Sequence, residues 1–432
     1  MNKRIYAGVG TSALIAIVAL AATVSGAFAR SGATPLPAAS CSGIVNGSGK
    51  YLVASDLPLE GSGRTQTSQM TRAIKFIFKQ HGWKAGNYTL AYQSCDDATA
   101  QAGKWDSGKC SANANAYASN STLTAVIGTF NSGCAEIIVP VLNRAPNGPV
   151  AMVSPANTYV GLTHPGPGTQ AGEPGKYYPT GKRNYARVVA ADDYQGAADA
   201  LLAQQLKLKK IYILNDKEAY GLGVATNFKN ASKKLGTTIV GFSAWDGKAS
   251  SYEALAVKIK QSGAQGVFLG GLICENGGKL IKDLRNGLGS KVKILMPDGF
   301  TPISATVQQS GAASEGATVS VAGLPNSALK GSGKAFVAAF TKADKRPPDP
   351  YSVYAAQAAE VIVQAIKQSN GSRADVAKQL FRLNLKGSIL GNVSFNKNGD
   401  VTSNPVTIYK IVGGKSTTLK VIVPPTSLVK VA

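Results

Sequence analysis

The sequence predicts an α/β protein built on two parallel, doubly wound sheets. Three observations carry that expectation. Short apolar runs alternate with stretches whose apolar residues recur at helical spacing, as expected of strands buried on both faces by helices. A Pro- and Gly-rich stretch, residues 163–186, interrupts the alternation, which then restarts, so two sheets are implied. Beyond Val321 come only two helical stretches and short strands, better suited to completing two lobes than to forming a third core.

In chain order, Lys3 and Arg4 precede an apolar run from Ala13 to Ala22 and then the small residues Ala27 and Ala29, which reads as a secretory signal peptide over residues 1–29. Residues 30–47, rich in Ser, Gly, Pro and Ala, read as a flexible leader. Order is expected from Tyr51, with a strand to Leu57, a loop from Gly61 to Thr65, and a helix carrying Met70, Ile74, Ile77 and Phe78 on one face. Tyr88 to Tyr92 is the next strand, and Ser111 to Ala118 a helix. The stretch Thr124 to Glu136 joins an apolar run (Ala125, Val126, Ile127) to a Gly- and hydroxyl-rich corner. Ile137, Ile138, Val141 and Leu142 follow at helical spacing, and Val150 to Val153 is a further strand. After the interruption, Arg187 to Val189 leads into an Ala-rich helix. Strands at Lys210–Leu214, Thr238–Gly241, Gly266–Leu269 and Val292–Met296 then alternate with helices from about Gly223, from Tyr252 to Ile259 and from Asn276 to Leu284. Helices near 333–342 and 351–368 precede strands around Val393, Val406 and Val421, with a turn at Asn396–Gly399.

Composition narrows the function. The 432 residues are 44% hydrophobic and 16% charged, enough for two packed lobes. The net charge of +23 is spread over scattered residues such as Lys207, Lys209, Lys210, Lys217 and Lys229. No compact segment interleaves them with aromatics, so a solvated basic exterior is expected and no nucleic-acid partner. No later segment is long and apolar enough to span a bilayer. The five cysteines (Cys41, Cys95, Cys110, Cys134, Cys274) would lie in an oxidising compartment, and their odd number leaves at least one unpaired or modified. Cys41 as a lipidated N-terminus is one alternative, although Ala38-Ala39-Ser40 lacks the large aliphatic residue that usually precedes such a cysteine. Proximity in sequence allows Cys95 with Cys110. Without a CxxC, and with only His81 and His164, no metal site is expected. P-loop, GxGxxG and GxSxG signatures are missing too, so neither enzyme activity nor a cofactor is expected.

What recurs is a corner of small polar residues after a strand. Asn131, Ser132 and Gly133 follow Ile127-Gly128 and open a helix, whose positive dipole end favours an anion such as a carboxylate. Ser154-Pro-Ala-Asn-Thr158, Asp216-Lys-Glu-Ala-Tyr-Gly221, Gly270-Gly-Leu-Ile-Cys-Glu275 and Pro297-Asp-Gly299 occupy the same position after other strands. Open α/β sheets bind ligands at this edge, and two sheets facing edge to edge would gather these corners around one cleft.

Together these segments, with Gly316-Ala-Thr-Val-Ser-Val321 and Asn392-Val-Ser-Phe-Asn-Lys-Asn-Gly-Asp400, resemble the type I periplasmic binding proteins of the leucine/isoleucine/valine-binding group, from about Tyr51 to Lys410. The resemblance implies two Rossmann-like lobes joined by a three-crossover hinge, about 48–187 plus 322–400 and 188–321 plus 401–432. It implies that Ser132 holds a ligand α-carboxylate with Ala156, Asn157 and Thr158 on the neighbouring corner, that Tyr220 closes on the ligand, and that Asp298 pairs with the α-ammonium. Asn131 and Leu272 are further candidates. Leu272 stands where such proteins often place an aromatic residue. The implied function is an extracytoplasmic receptor, a monomer that delivers a small amino acid, aliphatic or branched-chain, to an ABC permease. A sensory receptor of the same fold, or a binder of an amide- or urea-type solute, is the alternative. The resemblance also favours Cys95 paired near the first corner, with Cys134 the candidate there. A Cys134–Cys274 bond would tether the lobes and is disfavoured.

Overall fold

The computed structural model describes residues 32–429, so the expected signal peptide lies outside the described residues. The first part contains β1 (Tyr51–Leu57), α1 (Arg64–Gln80), β2 (Lys84–Ala85), β3 (Tyr88–Asp96), β4 (Ala98–Thr99), β5 (Lys104–Trp105), α2 (Ser107–Ser119), β6 (Leu123–Gly128), α3 (Ser132–Asn143), β7 (Ala151–Ser154) and β8 (Tyr185–Arg187). Its sheet has the order β2-β3-β1-β6-β7-β8, parallel except for the short edge strand β2. Every residue of β6 is buried, which accounts for its unbroken apolar run. On α1 the buried residues Met70, Ala73, Ile74, Ile77 and Phe78 recur at the spacing of one helical face.

The second part contains α4 (Asp192–Gln205), β9 (Lys210–Asn215), α5 (Ala219–Lys234), β10 (Thr238–Ala244), α6 (Glu253–Gln261), β11 (Gly266–Gly270), α7 (Gly278–Leu288), β12 (Lys293–Met296), α8 (Ile303–Ser310) and β13 (Thr318–Val321). The chain then forms α9 (Ser332–Asp344), α10 (Pro350–Lys367), α11 (Arg373–Leu380), β14 (Asn384–Ser388), β15 (Gly391–Ser394), β16 (Val406–Val412), β17 (Lys415–Ile422) and α12 (Thr426–Val429). The second sheet runs β10-β9-β11-β12-β13-β16-β17, its last two strands antiparallel. Meanwhile α10 packs on α1, β6 and β7, and α11 on β6 and β7. The tail therefore extends the second sheet and covers the first with helices rather than forming a third core. Three helices, α8, α11 and α12, were not expected, and of these α11 carries a legible cap. Its Ser372 side chain accepts from the Asp375 amide at 3.3 Å, a cap written in the sequence as Ser-x-x-Asp.

Connections between the two sheets are held by buried charge. Arg187, at the end of β8, is fully buried and donates through Nε to Asp400 at 2.8 Å. His164 sits between Asp400 and Asp193, 3.1 Å from each. Burial opposes its protonation, but the two carboxylates prevail and hold the imidazole up at about 9. The Pro-rich stretch is folded rather than open, with Glu173 accepting from Tyr159 at 2.7 Å and Tyr177 at 2.6 Å.

Three expectations are corrected. Residues 32–49 are not a flexible leader: Val45 bridges Tyr92 on β3, the Leu36 amide donates to Gln93 at 2.6 Å, and Ala33 and Leu36 are buried. The disulfides are Cys41–Cys95 and Cys110–Cys134, so Cys95 pairs with neither Cys134 nor Cys110. A disulfide-bonded Cys41 cannot carry a lipid thioether, and Cys274 is the unpaired cysteine. The sequence hid the first pairing because the segment of Cys41 becomes ordered only by lying against β3. Replacing both Cys41 and Cys95 by Ser should lower unfolding stability by about 2–4 kcal/mol, since the bond closes a long loop. Urea melts test this, and an unchanged midpoint would contradict it.

Candidate functional site

Five corners meet between the carboxyl edges of the two sheets. They enclose a cavity of about 370 Å³, counting the part open at its mouth. Its walls are Phe130, Asn131, Ser132 and Gly133 from the corner after β6, Ala156 and Thr158 after β7, Glu218 and Tyr220 after β9, Leu272 after β11, Asp298 and Gly299 after β12, and Trp105 from β5. The two sides touch across it. Gln66 of α1 donates to Thr301 at 3.2 Å, Asn227 of α5 donates to the Pro167 carbonyl at 3.0 Å, and Lys104 meets Glu218 and Glu275.

One end of the cavity offers donors. Asn131 is the N-cap of α3, but its side chain makes no capping bond, so the first-turn amides of α3 face the cavity uncapped. The Ser132 hydroxyl accepts from the Tyr159 amide at 3.3 Å and keeps its own proton to give. Thr158 Oγ1 is buried with no hydrogen-bond partner among the described residues. This combination of dipole, free amides and hydroxyls has the chemistry to hold an anion.

The other end is acidic. Tyr220 donates to Asp298 Oδ1 at 2.6 Å, Tyr351 from α10 donates to Oδ2, and the Gly299 amide donates to the Tyr220 hydroxyl at 2.8 Å. Burial pushes the Asp298 carboxyl above its usual range, and the two tyrosine hydroxyls pull the other way. Behind it lies Asp192, the first residue of α4, fully buried and with neither carboxylate oxygen in hydrogen-bonding geometry among the described residues, although the Thr158 hydroxyl and the Arg187 charge lie near enough to pull its carboxyl down. Burial, and next the Asp298 charge, drive Asp192 well above the carboxylate range. Asp216 is a different case. It accepts from the Leu272 amide at 2.8 Å and the Glu218 amide at 3.0 Å, tying two corners together from behind.

A model of the periplasmic binding proteins matches residues 54–415. The chain belongs to that family. Membership in the periplasmic binding proteins places it among solute binders rather than enzymes. The leucine-, isoleucine-, valine-, threonine- and alanine-binding protein of Pseudomonas aeruginosa is 28% identical over 226 residues, 52% of this chain and 59% of that relative's length. A branched-chain amino acid transporter substrate binding protein of Streptococcus pneumoniae, solved with isoleucine, superposes with a TM-score of 0.73 at 18% identity, covering 87% of this chain and all of that one. A solute binding protein of R. palustris, solved with benzoate, gives 0.70 at 18% identity over 87% and 97% of the two chains. No helix among the described residues is long and apolar enough to cross a membrane.

For this member of the periplasmic binding proteins, Asn131, Ser132, Ala156, Thr158, Tyr220, Leu272 and Asp298 all line the cavity. Asn157 does not. Its amide donates to Thr129 Oγ1 at 3.2 Å and the Phe130 carbonyl at 3.0 Å, so it braces the corner from beneath. The Ala156 amide is committed to Ser154 Oγ at 3.1 Å, which leaves donation at this corner to the Thr158 side. Sequence reasoning missed Trp105, Phe130, Glu218, Tyr351 and Asp192. Asp192 was the most accessible of these, since its Asp-Asp pair opens a helix directly after a proposed strand. Tyr351 reaches the site through long-range packing that leaves no local signal.

Because Asp192 ionises at higher pH folded than unfolded, the stability it contributes is full below about pH 4 and falls as pH rises through the folded value. In ligand-free protein, Asp192→Asn should therefore raise the thermal midpoint at pH 7 by about 1–3 °C, with the gain shrinking toward pH 4. Identical midpoints at pH 7 would show that the carboxylate is partnered.

Proposed function

We propose that the protein is an extracytoplasmic solute-binding receptor of an ABC importer, exported by the signal peptide over residues 1–29. As a monomer it closes on a small aliphatic or branched-chain amino acid and delivers it to a membrane permease. The lobes 48–187 plus 322–400 and 188–321 plus 401–432 move as bodies about three crossovers. A ligand that touches both lobes favours the closed form by its differential affinity.

The single observation that carries this reading is the division of the cavity into a donor end and an acidic end. A zwitterion matches both. Its carboxylate meets the start of α3, Ser132 and Thr158, and its ammonium meets Asp298, with Asp192 behind. A purely anionic ligand such as the benzoate bound by the R. palustris protein would satisfy the donor end but leave the buried Asp298 carboxylate without a ligand cation, which is costly. Phe130 and Leu272 supply apolar wall for a side chain.

Calorimetric titration should give saturable binding of L-leucine, L-isoleucine or L-valine. Asp298→Ala should weaken it by about a hundredfold or more, since it removes one partner of a buried charge pair. Ser132→Ala should cost about tenfold or more, the loss of one bond to a charged group. An amino-acid panel that gives no heat with the parent protein, or an unchanged affinity in Asp298→Ala, would refute the reading.

A further inference from the structure

Between the two disulfides of the first part lies a feature that the corner pattern does not include. β4 and β5 pair as a small antiparallel hairpin between Cys95, bonded to Cys41, and Cys110, bonded to Cys134 in the first turn of α3. The hairpin is firmly seated. The Asp106 amide donates to the Asp97 carbonyl at 2.8 Å, and the turn at Gly103 sits so close to Gly61 that a Cβ there would lie 1.7 Å from the Gly103 carbonyl oxygen.

Its last two residues face different tasks. Lys104 reaches across the cleft to Glu218, before α5, at 3.3 Å, and to Glu275, in the turn before α7. Those two acids belong to the same side and repel each other. Burial and the nearby Glu275 charge, set against Lys104, leave the Glu218 carboxyl raised. Lys104 relieves that repulsion only while the two sides are together. Trp105 forms part of the cavity wall and packs on the start of α3, where a Cβ at Gly133 would lie 2.5 Å from its ring. Its indole N–H is buried and has no acceptor among the described residues. A buried donor left without a partner is costly, and a ligand oxygen at this wall would satisfy it.

We infer that this hairpin is a selectivity clasp, in which Trp105 donates its indole N–H to an oxygen of the bound ligand and Lys104, seated between Glu218 and Glu275, holds the clasp shut. This rests on the reading of the cavity as the ligand site. The clasp adds a donor at the corner that meets the carboxylate, so it rewards carboxylate-bearing ligands and slows their escape.

The test titrates L-isoleucine, L-leucine and benzoate into the folded chain, following heat and tryptophan emission, and then repeats this with Trp105→Phe and Lys104→Met. Trp105→Phe keeps an aromatic wall but lacks the donor. It should weaken binding about ten- to hundredfold and abolish the ligand-induced emission change. Lys104→Met, at a half-buried position, should speed ligand dissociation about tenfold in stopped flow and leave association nearly unchanged. If the parent protein binds benzoate but no amino acid, the amino-acid reading fails while the clasp is still tested with benzoate. Binding by Trp105→Phe within twofold of the parent with the same emission change, or an unchanged dissociation rate in Lys104→Met, overturns the clasp. Binding of none of the three probes overturns both readings.

Discussion

Asp298 has each carboxylate oxygen held by a tyrosine hydroxyl, Tyr220 from α5 and Tyr351 from α10, and no cation among the described residues pairs with it. Two hydroxyl donors orient a carboxylate without neutralising it, and burial keeps its charge unfavourable. Asp192 lies behind it with neither oxygen hydrogen-bonded among the described residues. A buried acid such as Asp298 reduces stability unless something positive arrives, and its place at the meeting point of two sheets supports the proposal that the cavity is a binding site.

The rest of the fold can be understood as the means of bringing that acid opposite an anion-binding helix start. Parallel strands put their carboxyl ends on one edge, so β6, β7, β9, β11 and β12 each end in a corner on the same side of their sheet. Second-layer groups then fix the corners. Asn157 braces the turn below Ser132, and Asp216 ties the corner of β11 to that of β9. Tyr351 comes from the returning tail, so Asp298 is oriented only once α10 has docked on the first sheet. Arg187 and Asp400, buried together where the chain passes between sheets, anchor the connections about which the two sides would move.

Much of this was legible in the sequence because parallel strands buried on both faces leave unbroken apolar runs. Tyr51–Leu57 was read with its observed ends, and seven of the eight proposed site residues line one cavity. The failures share a physical cause. Residues 32–49 are polar and small, as a leader would be, yet a disulfide and edge pairing to β3 order them, and neither can be seen locally. Asn157 has the composition of a site residue but points its amide into the corner's own backbone. Trp105 and Tyr351 reach the cavity only through tertiary placement, and a lone aromatic in a sequence does not announce which wall it will join.

The central claim is that the acidic end of the cavity requires a ligand cation. Its most direct test compares the dissociation constant of L-isoleucine with that of 3-methylpentanoic acid, the same skeleton and carboxylate without the ammonium group, at one pH and ionic strength. The account predicts that the deaminated acid binds at least about a hundredfold more weakly, the cost of leaving a buried carboxylate unpaired. Equal or tighter binding of the deaminated acid would contradict it.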